Sequence, residues 1–330
     1  MDGLSAASYT LNNTTMNIDL KSGKYVVAVS GGMDSMVLLH LLVMAVSAQQ
    51  SATSDQRPAF SDRLVSLPRL LVAHFDHGIR GDSGEDRKLV QATAQEYGLP
   101  FVYDEGLLGQ GVSEATARAA RYKFLRQVQQ ASGAQAIITA HHQDDLLETA
   151  ILNLIRGTGR KGLTALSNRS DIVRPLLHVP KSDLLEYARK QQLRWHEDST
   201  NQDQTYLRNY IRHNILLRFD AAARQQLYQI ILRQQNVNRN LDTLLVNQLH
   251  TQSVAGIIDR QWFNQLPHAV AKEIIATWLR AHDVRDFDSK SLERLVVAAK
   301  VAQPGKVFPL LRGYTMTVGQ RRLALIGPER

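Results

Sequence analysis

The segment Ser30–Ser35 constrains the fold of this chain more than any other part of the sequence. It reads SGGMDS, follows a short β-branched and aromatic run at Tyr25–Val29, and precedes an amphipathic stretch that begins near Asp34. Gly31 and Gly32 allow the backbone to turn tightly and to approach a ligand without a Cβ clash. Free N–H groups at the start of a following helix suit a phosphate group. The pattern therefore predicts a strand, a phosphate-binding turn and a helix.

Asp34 indicates that a cation takes part in phosphate binding at this predicted turn. A carboxylate beside bound phosphates repels them unless a cation lies between, so Asp34 implies Mg²⁺. The turn carries no lysine at its end, unlike the P-loop of kinases and GTPases. Ser30 and Ser35 can add hydroxyl donors. The alternative interpretation is an ordinary strand–turn–helix in which Ser and Asp act as helix caps.

Short β-branched runs alternate with amphipathic stretches along the first 190 residues. The candidate strands are Tyr25–Val29, Leu70–His74, Phe101–Tyr103, Ala136–Thr139 and Ile172–Arg174. The candidate helices are Asp34–Ser47, Gly84–Tyr97, Ser113–Ala131, Asp144–Arg156 and Lys181–Gln192. This order predicts an α/β fold, a Rossmann-like parallel sheet with helices on both faces.

Three motifs directly follow or end predicted strands. They are SGGMDS at 30–35, HFDHGIR at 74–80 and TAHHQDD at 139–145. Ligands bind parallel sheets beyond the carboxyl ends of the strands. We therefore expect the three motifs to contribute to one shared site.

The rest of the sequence predicts a second, smaller domain. We expect a catalytic domain over residues 1–215 and a mainly helical domain over residues 216–330. Short Val, Leu and Thr runs between Lys306 and Ile326 also allow strands there. The polar segment Gln49–Pro68 predicts a mobile insertion between the first helix and the second strand.

Composition bounds the class of protein. The chain has no cysteine, which excludes disulfides, thiolate metal sites and persulfide chemistry. No apolar run is expected to reach the roughly 18–20 residues needed to span a bilayer, and the N-terminus lacks the pattern of a secretory signal. The sequence therefore predicts a cytoplasmic enzyme that does not act at a membrane. It leaves the oligomeric state open, a homodimer included.

Charge is distributed unevenly. Residues 1–155 hold 12 Lys/Arg and 16 Asp/Glu, a net charge of −4, whereas residues 156–330 hold 27 Lys/Arg and 15 Asp/Glu, a net charge of +12. Clustered Lys and Arg give a salt-sensitive attraction to phosphate backbones. The asymmetry favours a catalytic half joined to a half that meets a polyanion; a basic surface kept for solubility is the alternative.

Acidic and imidazole groups are dense between Thr139 and Thr149. If a helix begins near Gln143, Asp145 and Glu148 lie three residues apart and share one face of its first turn. Two close carboxylates can hold a substrate ammonium. A metal site is a second interpretation, with the candidate ligands His141, His142, Asp144 and Asp145. A third is simple capping, because acids are favourable in a first helical turn.

Several basic side chains are candidates for nucleotide or RNA contact. His77 and Arg80 follow the second strand and could face a nucleotide, or could belong to a plain turn around Gly78. Arginine guanidinium groups suit phosphate contact through paired hydrogen bonds. The arginines selected on this ground are Arg118, Arg121, Arg208 and Arg212. A solvated helix face is the competing interpretation.

The motif SGG-x-DS resembles the signature of the PP-loop ATP-pyrophosphatase superfamily, whose members split ATP at its α-phosphate. The further motifs ARAARY, TAHHQDDLLET, RPLL and the Arg208–Arg212 segment are together similar to the tRNA(Ile)-lysidine synthetase family. The resemblance runs from residue 30 to about 216. It implies a short form without the extra C-terminal domain of longer relatives. The proline that often follows the last arginine motif is absent.

This resemblance implies a two-step reaction on the wobble cytidine of a tRNA(Ile) with a CAU anticodon. ATP adenylates the C2 oxygen, and the ε-amine of free L-lysine then displaces AMP. It implies ATP contacts from Ser30, Gly31, Gly32, Met33, Asp34, Ser35, His77 and Arg80. Asp34, through Mg²⁺, and the acids Asp145 and Glu148, which would bind lysine, are the implied catalytic residues.

Three rival functions stay open on the sequence. A tRNA thiolase would use the same ATP turn but normally needs cysteines. A metal phosphoesterase would use the His and Asp cluster without ATP. A non-catalytic tRNA-binding module would bind RNA regardless of ATP and lysine.

Overall fold

The structure, a computed structural model, describes residues 7–11, 14–18, 20–54, 68–78, 83–106, 109, 112–197, 207–254, 256–284, 287–310 and 313–328. The chain divides into two compact units, Met1–Ile231 and Leu232–Arg330. Each unit has a buried apolar core of its own.

Five parallel strands form the main sheet of the first unit, and an antiparallel hairpin precedes them. The hairpin strands are β1 (Ala7–Leu11) and β2 (Thr14–Ile18), and the sheet strands are β3 (Gly23–Ala28), β4 (Pro68–Asp76), β5 (Phe101–Glu105), β6 (Ala136–Ile138) and β7 (Ile172–Val173). The order across the sheet is β5-β4-β3-β6-β7, with neighbouring strands parallel. The strand order reverses between β3 and β6, which is where such sheets bind ligands. The predicted parallel α/β sheet is confirmed.

Helices connect these strands at the predicted places. The helices of the first unit are α1 (Met33–Ser54), α2 (Ser83–Glu96), α3 (Glu114–Ser132), α4 (Gln143–Ile155), α5 (Arg160–Leu163), α6 (Lys181–Lys190) and α7 (Leu207–Tyr210). A π-helical turn, Ile211–Ile215, and a 3₁₀ turn, Leu216–Arg218, follow α7 directly. The predicted insertion is wrong at its start, because Gln49 to Ser54 continue α1. This stretch has no Gly or Pro to end the helix, and Gln49 is buried; residues 55–67 lie outside the described part.

Helix α1 is a core helix of the first unit. Val37, Leu38 and Leu41 are fully buried in the cluster that also contains the strands. The segment Met33–Gln50 is long and apolar enough to cross a membrane by length and composition alone, and half of it is buried. The expectation that no run reaches this length is therefore wrong by length and composition. The apolar character of this segment follows from packing, because both faces of a parallel sheet must be covered.

The second unit contains helices and an antiparallel sheet. Its helices are α9 (Arg260–Gln265), α10 (His268–Ala281) and α11 (Ser289–Val301), and its strands are β8 (Ser253–Val254), β9 (Ile257–Asp259), β10 (Lys306–Pro309), β11 (Thr315–Val318) and β12 (Arg322–Ile326). The strand order is β10-β11-β12-β9-β8. Trp278 and Phe263 are buried at the centre of this unit. The runs between Lys306 and Ile326 are therefore strands, beside the expected helices.

Helix α8 (Ala221–Gln252) contains the division between the two units. The division lies at residue 231, whereas the sequence suggested residue 215. Contacts of the first turns of α8 explain the later position. Arg224 lies 3.7 Å from the Asp144 carboxylate, and the Tyr228 hydroxyl lies 2.8 Å from His178 Nδ1. The start of α8 is therefore fixed to the first unit.

Candidate active site

Ser35 shapes the turn between β3 and α1. Its hydroxyl donates to the Gly32 carbonyl at 2.8 Å and accepts the Ser30 N–H at 3.1 Å. The Ser30 hydroxyl in turn accepts the Gly32 N–H at 3.3 Å. Because Ser35 is buried, these hydrogen bonds support the turn from inside. The predicted role of Ser30 and Ser35 as donors to a phosphate would therefore add to a structural one.

Gly31 is the position in this turn that requires glycine. Its φ of +91° is a conformation that other residues rarely adopt, and an added Cβ would lie 3.1 Å from Asp86 Cβ. The Gly31 carbonyl accepts the His196 N–H at 3.1 Å, and His196 Nδ1 lies 2.8 Å from Asp86 Oδ1. Gly31 is thus enclosed from two sides. An added Cβ at Gly32 would meet Ser30 Oγ only at 3.5 Å.

Asp34 lies at the start of α1 with one carboxylate oxygen unsatisfied. Its Oδ1 is buried without a hydrogen-bond partner among the described residues. Its Oδ2 lies 3.5 Å from His142 Nε2 and 3.7 Å from Lys181 Nζ. Burial alone would raise the pKa of Asp34, but the hydrogen bond and charge of His142 outweigh it and hold that pKa below its ordinary value.

This arrangement fits the Mg²⁺ ion that the sequence implies. Mg²⁺ in nucleotide sites is usually held by one or two carboxylates together with substrate phosphates. The unsatisfied Oδ1 of Asp34 is available for this role. Within the described ranges, no group of three or more His, Cys, Asp or Glu side chains is placed to hold a metal by itself. The alternative of a metal held by His141, His142, Asp144 and Asp145 therefore lacks support.

His142 joins Asp34 to the acidic helix. As expected, α4 begins at Gln143, and its first turn is capped by Asp145, whose Oδ2 accepts the His142 N–H at 3.0 Å. His142 Nε2 lies 3.5 Å from this same oxygen. Burial would lower the pKa of His142, but Asp145 and Asp34 together raise it above its ordinary value. The same imidazole therefore contacts carboxylates from the β3–α1 turn and from α4.

Glu148 is paired with Arg212. The guanidinium donates from Nε to Oε1 at 2.6 Å and from Nη2 to Oε2 at 3.0 Å, and Glu148 is 1% exposed. Burial raises the pKa of Glu148, and Arg212 opposes that rise. Arg212 Nη2 also lies 3.9 Å from Asp145 Oδ1. Arg212, which the sequence predicts as an RNA contact, thus connects Glu148 and Asp145, the two acids predicted to bind lysine.

The other selected arginines lie on α3 and α7. The Arg118 guanidinium stacks on Tyr122 at 4.9 Å, and the Arg121 guanidinium lies 5.7 Å from the same ring. Burial lowers the pKa of Arg121, whose Nε has no hydrogen-bond partner within the described residues. Arg208 donates to the Thr149 hydroxyl at 3.4 Å and lies 3.5 Å from Glu114. Arg118, Arg208 and His141 border a common cavity.

His141 is a neutral group at the end of β6. Its Nδ1 lies 2.8 Å from the Thr139 hydroxyl. Burial lowers the pKa of His141 to about 3, with nearby arginines acting in the same direction and Asp145 opposing them. Consecutive histidines therefore differ in charge preference: the carboxylates of Asp145 and Asp34 outweigh burial at His142, whereas burial dominates at His141.

Two predicted nucleotide contacts have different outcomes. The His77 ring packs edge-on against Phe75 at 5.0 Å, at the carboxyl end of β4. Arg80 lies outside the described residues. Sequence reasoning missed Lys181, which reaches Asp34, and His74, whose Nδ1 lies 2.9 Å from the Val29 carbonyl just before the turn. Lys181 belongs to no motif, and His74 begins the HFDHGIR motif without being selected as a site residue; each contact joins residues far apart in the chain.

Comparison with known proteins places this site in a family. Residues 5–219 match the PP-loop domain family. The chain belongs to this family. The match includes the turn at Ser30–Ser35 and the acidic helix α4.

Several curated proteins are similar to this chain. The tRNA(Ile)-lysidine synthase of Lactiplantibacillus plantarum is 32% identical over 298 residues, which are 84% of this chain and 61% of that protein. The protein of the same name from Nitrosomonas europaea is 31% identical over 86% of this chain and 60% of its own length. The chain spans about three fifths of the length of these two relatives. Among solved structures, the U34-tRNA thiolase NcsA of Methanococcus maripaludis, determined with its 4Fe-4S cluster, aligns with a TM-score of 0.47 at 17% identity, over 65% of this chain and 73% of that chain.

The geometry of Gly31 generates a first prediction. Gly31→Ala should weaken ATP binding about tenfold, because left-handed backbone costs a residue with a Cβ roughly 1–2 kcal/mol and the added carbon crowds Asp86. Isothermal titration with ATP and Mg²⁺ measures the effect. Gly98→Ala is the matched control, since Gly98 also has a positive φ but nothing lies near its added Cβ. Unchanged affinity in folded Gly31→Ala would contradict the interpretation.

The buried ion pair generates a second prediction. Arg212→Met should lower the free energy of unfolding by about 3–5 kcal/mol, because it leaves the Glu148 carboxylate buried without its partner. Urea unfolding followed by circular dichroism measures this. Arg218→Met, which removes an exposed arginine six residues later, should change stability by less than about 0.5 kcal/mol. The double variant Glu148→Gln/Arg212→Met should regain part of the loss; no recovery would show that the charge of Glu148 is not the cause.

The neutral His141 generates a third prediction, on pH. Its ordinary pKa of 6.5 applies to the unfolded chain and its folded pKa is about 3, so the unfolded state binds the proton first as the pH falls. At pH 5 this difference should cost about 2 kcal/mol of folding free energy relative to pH 7. His141→Asn should lose that much less stability between pH 7 and pH 5 than the wild type. His250→Asn, at an exposed position, should behave as the wild type does; equal losses in all three proteins would refute the assignment.

Proposed function

We propose that this protein ligates L-lysine to C2 of the wobble cytidine of a tRNA(Ile) with a CAU anticodon, with ATP as the activating substrate. The main observation in support is that His142 contacts both Asp34, in the β3–α1 turn, and Asp145. This contact lies where the strand order reverses, so that an ATP turn and an amine-binding acid share one site. The names of the similar proteins support the choice of RNA and amino acid.

In the first step, the cytidine O2 attacks the α-phosphorus of ATP and pyrophosphate leaves. Backbone N–H groups of the Ser30–Ser35 turn and the start of α1 would hold the departing phosphates. Asp34 would hold Mg²⁺, which supplies charge neutralisation on those oxygens. Burial of Ser35 and the enclosure of Gly31 keep the turn in shape before ATP arrives, which reduces the ordering required on binding.

In the second step, the ε-amine of lysine attacks C2, and AMP leaves with the former O2. The amine must lose a proton to attack, and a carboxylate at this site would accept that proton. The geometry favours Asp145 over Glu148 as the group that contacts the ammonium, because both Glu148 oxygens already accept from Arg212. The Glu148–Arg212 pair would act as a positioning pair for Asp145, 3.9 Å away. This distribution of roles modifies the expectation that both acids bind lysine directly.

Charge and composition support an RNA substrate. The net charge of +12 over residues 156–330 favours a polyanionic partner. Arg118, Arg121 and Arg208 would meet the RNA beside the reacting nucleoside. The absence of cysteine from the chain favours amine transfer over sulfur transfer. ATP, free lysine and tRNA are all available in the cytoplasm, where we place the reaction.

One assay tests the proposal. The protein is incubated with ATP, Mg²⁺, lysine and a tRNA transcript with the CAU anticodon, and the digested RNA is analysed by mass spectrometry. We expect lysidine, dependent on both ATP and lysine. An ATP–pyrophosphate exchange assay on the same samples reports the first step. Unmodified cytidine in the presence of folded protein and the correct tRNA would refute the proposed reaction.

The role given to Asp145 generates a further prediction. Asp145→Asn should reduce lysine transfer by at least about a hundredfold and leave the tRNA dissociation constant largely unchanged, because asparagine retains an oxygen for the His142 N–H but no charge for an ammonium. Asp144→Asn is the matched control, since Asp144 is the adjacent acid and faces Arg224 instead. A loss of tRNA binding in Asp145→Asn without a separate loss of transfer would contradict the role.

A further inference from the structure

A cavity of about 500 Å³ lies in the first unit, beside the candidate active site. Side chains of α3, of α4 and of the segment around β7 line it, together with Arg208 of α7. Its size is typical of a site for a small molecule or for part of a larger ligand. The residues that distinguish it are six arginines: Arg118, Arg126, Arg156, Arg169, Arg174 and Arg208.

The lining carries a large excess of positive charge. Among the described residues that border the cavity, none is an aspartate or a glutamate. Asp171 lies just behind it and is shared by two arginines, since Arg126 contacts one carboxylate oxygen and Arg169 donates to both at 3.2 Å. Even with Asp171 and Glu114, which lies 3.5 Å from Arg208, counted as neutralising, four of the six charges have no carboxylate partner among the described residues. Such a concentration of guanidinium groups attracts an anion strongly.

Arg174 is the most informative of the six. It is 5% exposed, and its guanidinium donates to the Ser167 carbonyl and hydrogen-bonds with Tyr122, but its Nε has no hydrogen-bond partner in the described part of the chain. A buried guanidinium is costly unless an anion or several acceptors satisfy it. Burial lowers the pKa of Arg174, in keeping with the missing carboxylate. An anionic ligand in the cavity would remove this deficit.

The lining of the cavity also includes apolar side chains. Leu152, Leu166 and Ile172 are among them. An inorganic anion makes no favourable contact with apolar side chains. A nucleotide can place its phosphate against arginines and its ribose or base against apolar side chains. Asn153 and the hydroxyl of Thr149 add hydrogen-bonding groups for the ribose or the base edge. The mixed lining therefore suits a nucleotide unit.

The position of the cavity relates it to the reacting groups. His141 borders it, and the next residue, His142, contacts Asp34 of the ATP turn. Two consecutive residues thus connect the arginine-lined cavity with the Asp34–Asp145 cluster, which is the pair of carboxylates that His142 contacts. A polynucleotide with one nucleoside at the Asp34–Asp145 cluster would have its neighbouring nucleotide within reach of the cavity.

We propose that this arginine pocket binds a backbone phosphate, with its nucleotide, directly next to the nucleoside that is modified. The choice of RNA as the polynucleotide rests on the proposed function. The pocket adds Arg126, Arg156, Arg169 and Arg174 to the arginines that the sequence patterns selected. A free mononucleotide carries the same phosphate chemistry, and the test below separates the two sources.

The test uses two exposed arginines of the pocket in the full chain. Arg156→Gln and Arg156→Gln/Arg169→Gln remove charge without opening the core. Arg189→Gln is the matched control, since Arg189 is exposed on α6 and does not line the cavity. The probe is an anticodon stem–loop RNA with the CAU anticodon, in which one loop phosphate at a time is an uncharged methylphosphonate.

We expect Arg156→Gln to raise the dissociation constant for the unmodified stem–loop about five- to tenfold, and the double variant to raise it further. The slope of log K against log salt should become shallower by about 0.7 for each arginine–phosphate ion pair that the substitutions remove. One methylphosphonate adjacent to the target cytidine should weaken wild-type binding by a similar factor and should barely affect the double variant. Arg189→Gln should retain the wild-type affinity, slope and methylphosphonate response.

Three outcomes would overturn the proposal. The first is an unchanged RNA dissociation constant in the double variant, and the second is equal methylphosphonate penalties in the double variant and the wild type. The third is CMP binding that disappears in Arg156→Gln while RNA binding persists, which would assign the cavity to a free nucleotide. The lysidine assay is scored separately. Lysidine formation with unchanged RNA binding in the variants refutes only the pocket, whereas weakened RNA binding in the variants without any lysidine refutes only the reaction.

Discussion

The candidate site depends on one contact, between the Asp34 carboxylate and the His142 imidazole at 3.5 Å. Asp34 begins the helix after β3, and His142 precedes the helix after β6. These strands are neighbours at the reversal of strand order, so the topology brings two distant motifs together. Without the imidazole, two partly buried carboxylates, Asp34 and Asp145, would repel each other. The histidine between them favours the ionised form of both.

A second ion pair closes the site from the later part of the first unit. Arg212 occupies a π-helical turn, an uncommon geometry that is often found at functional sites. From there it meets both oxygens of Glu148. The segment after residue 206 is thereby fixed to α4, and Arg208 beside Thr149 adds to this attachment. The acidic half of the sequence (residues 1–155) and the basic half (residues 156–330) differ in net charge by 16. The Glu148–Arg212 ion pair brings a carboxylate of the first half into contact with an arginine of the second.

Much of the fold was predictable, because its signals are local. The β-branched runs, the glycines of the Ser30–Ser35 turn and the acids near Gln143 each mark an element within a few residues. The pairing of Glu148 with Arg212 was not predictable, since 64 residues separate them. The sequence does not distinguish an arginine that pairs with a buried carboxylate from one that is exposed to solvent. Lys181 near Asp34 was missed for the same reason. The second unit gave the weakest signal: its strands are two to five residues long, too short for a clear alternation of apolar and polar residues.

The short connection between β6 and α4 carries two histidines with opposite charge preferences. It is four residues long, Thr139 to His142, and hydrogen bonds at both ends hold it: Thr139 donates its N–H to the Val173 carbonyl, and His142 donates its N–H to Asp145. His142 contacts the carboxylates of Asp34 and Asp145, whereas His141 borders the arginine-lined cavity. Inserting or deleting one residue here would disturb these hydrogen bonds and move at least one histidine away from its contacts. The length of this connection is therefore constrained together with the identity of its residues.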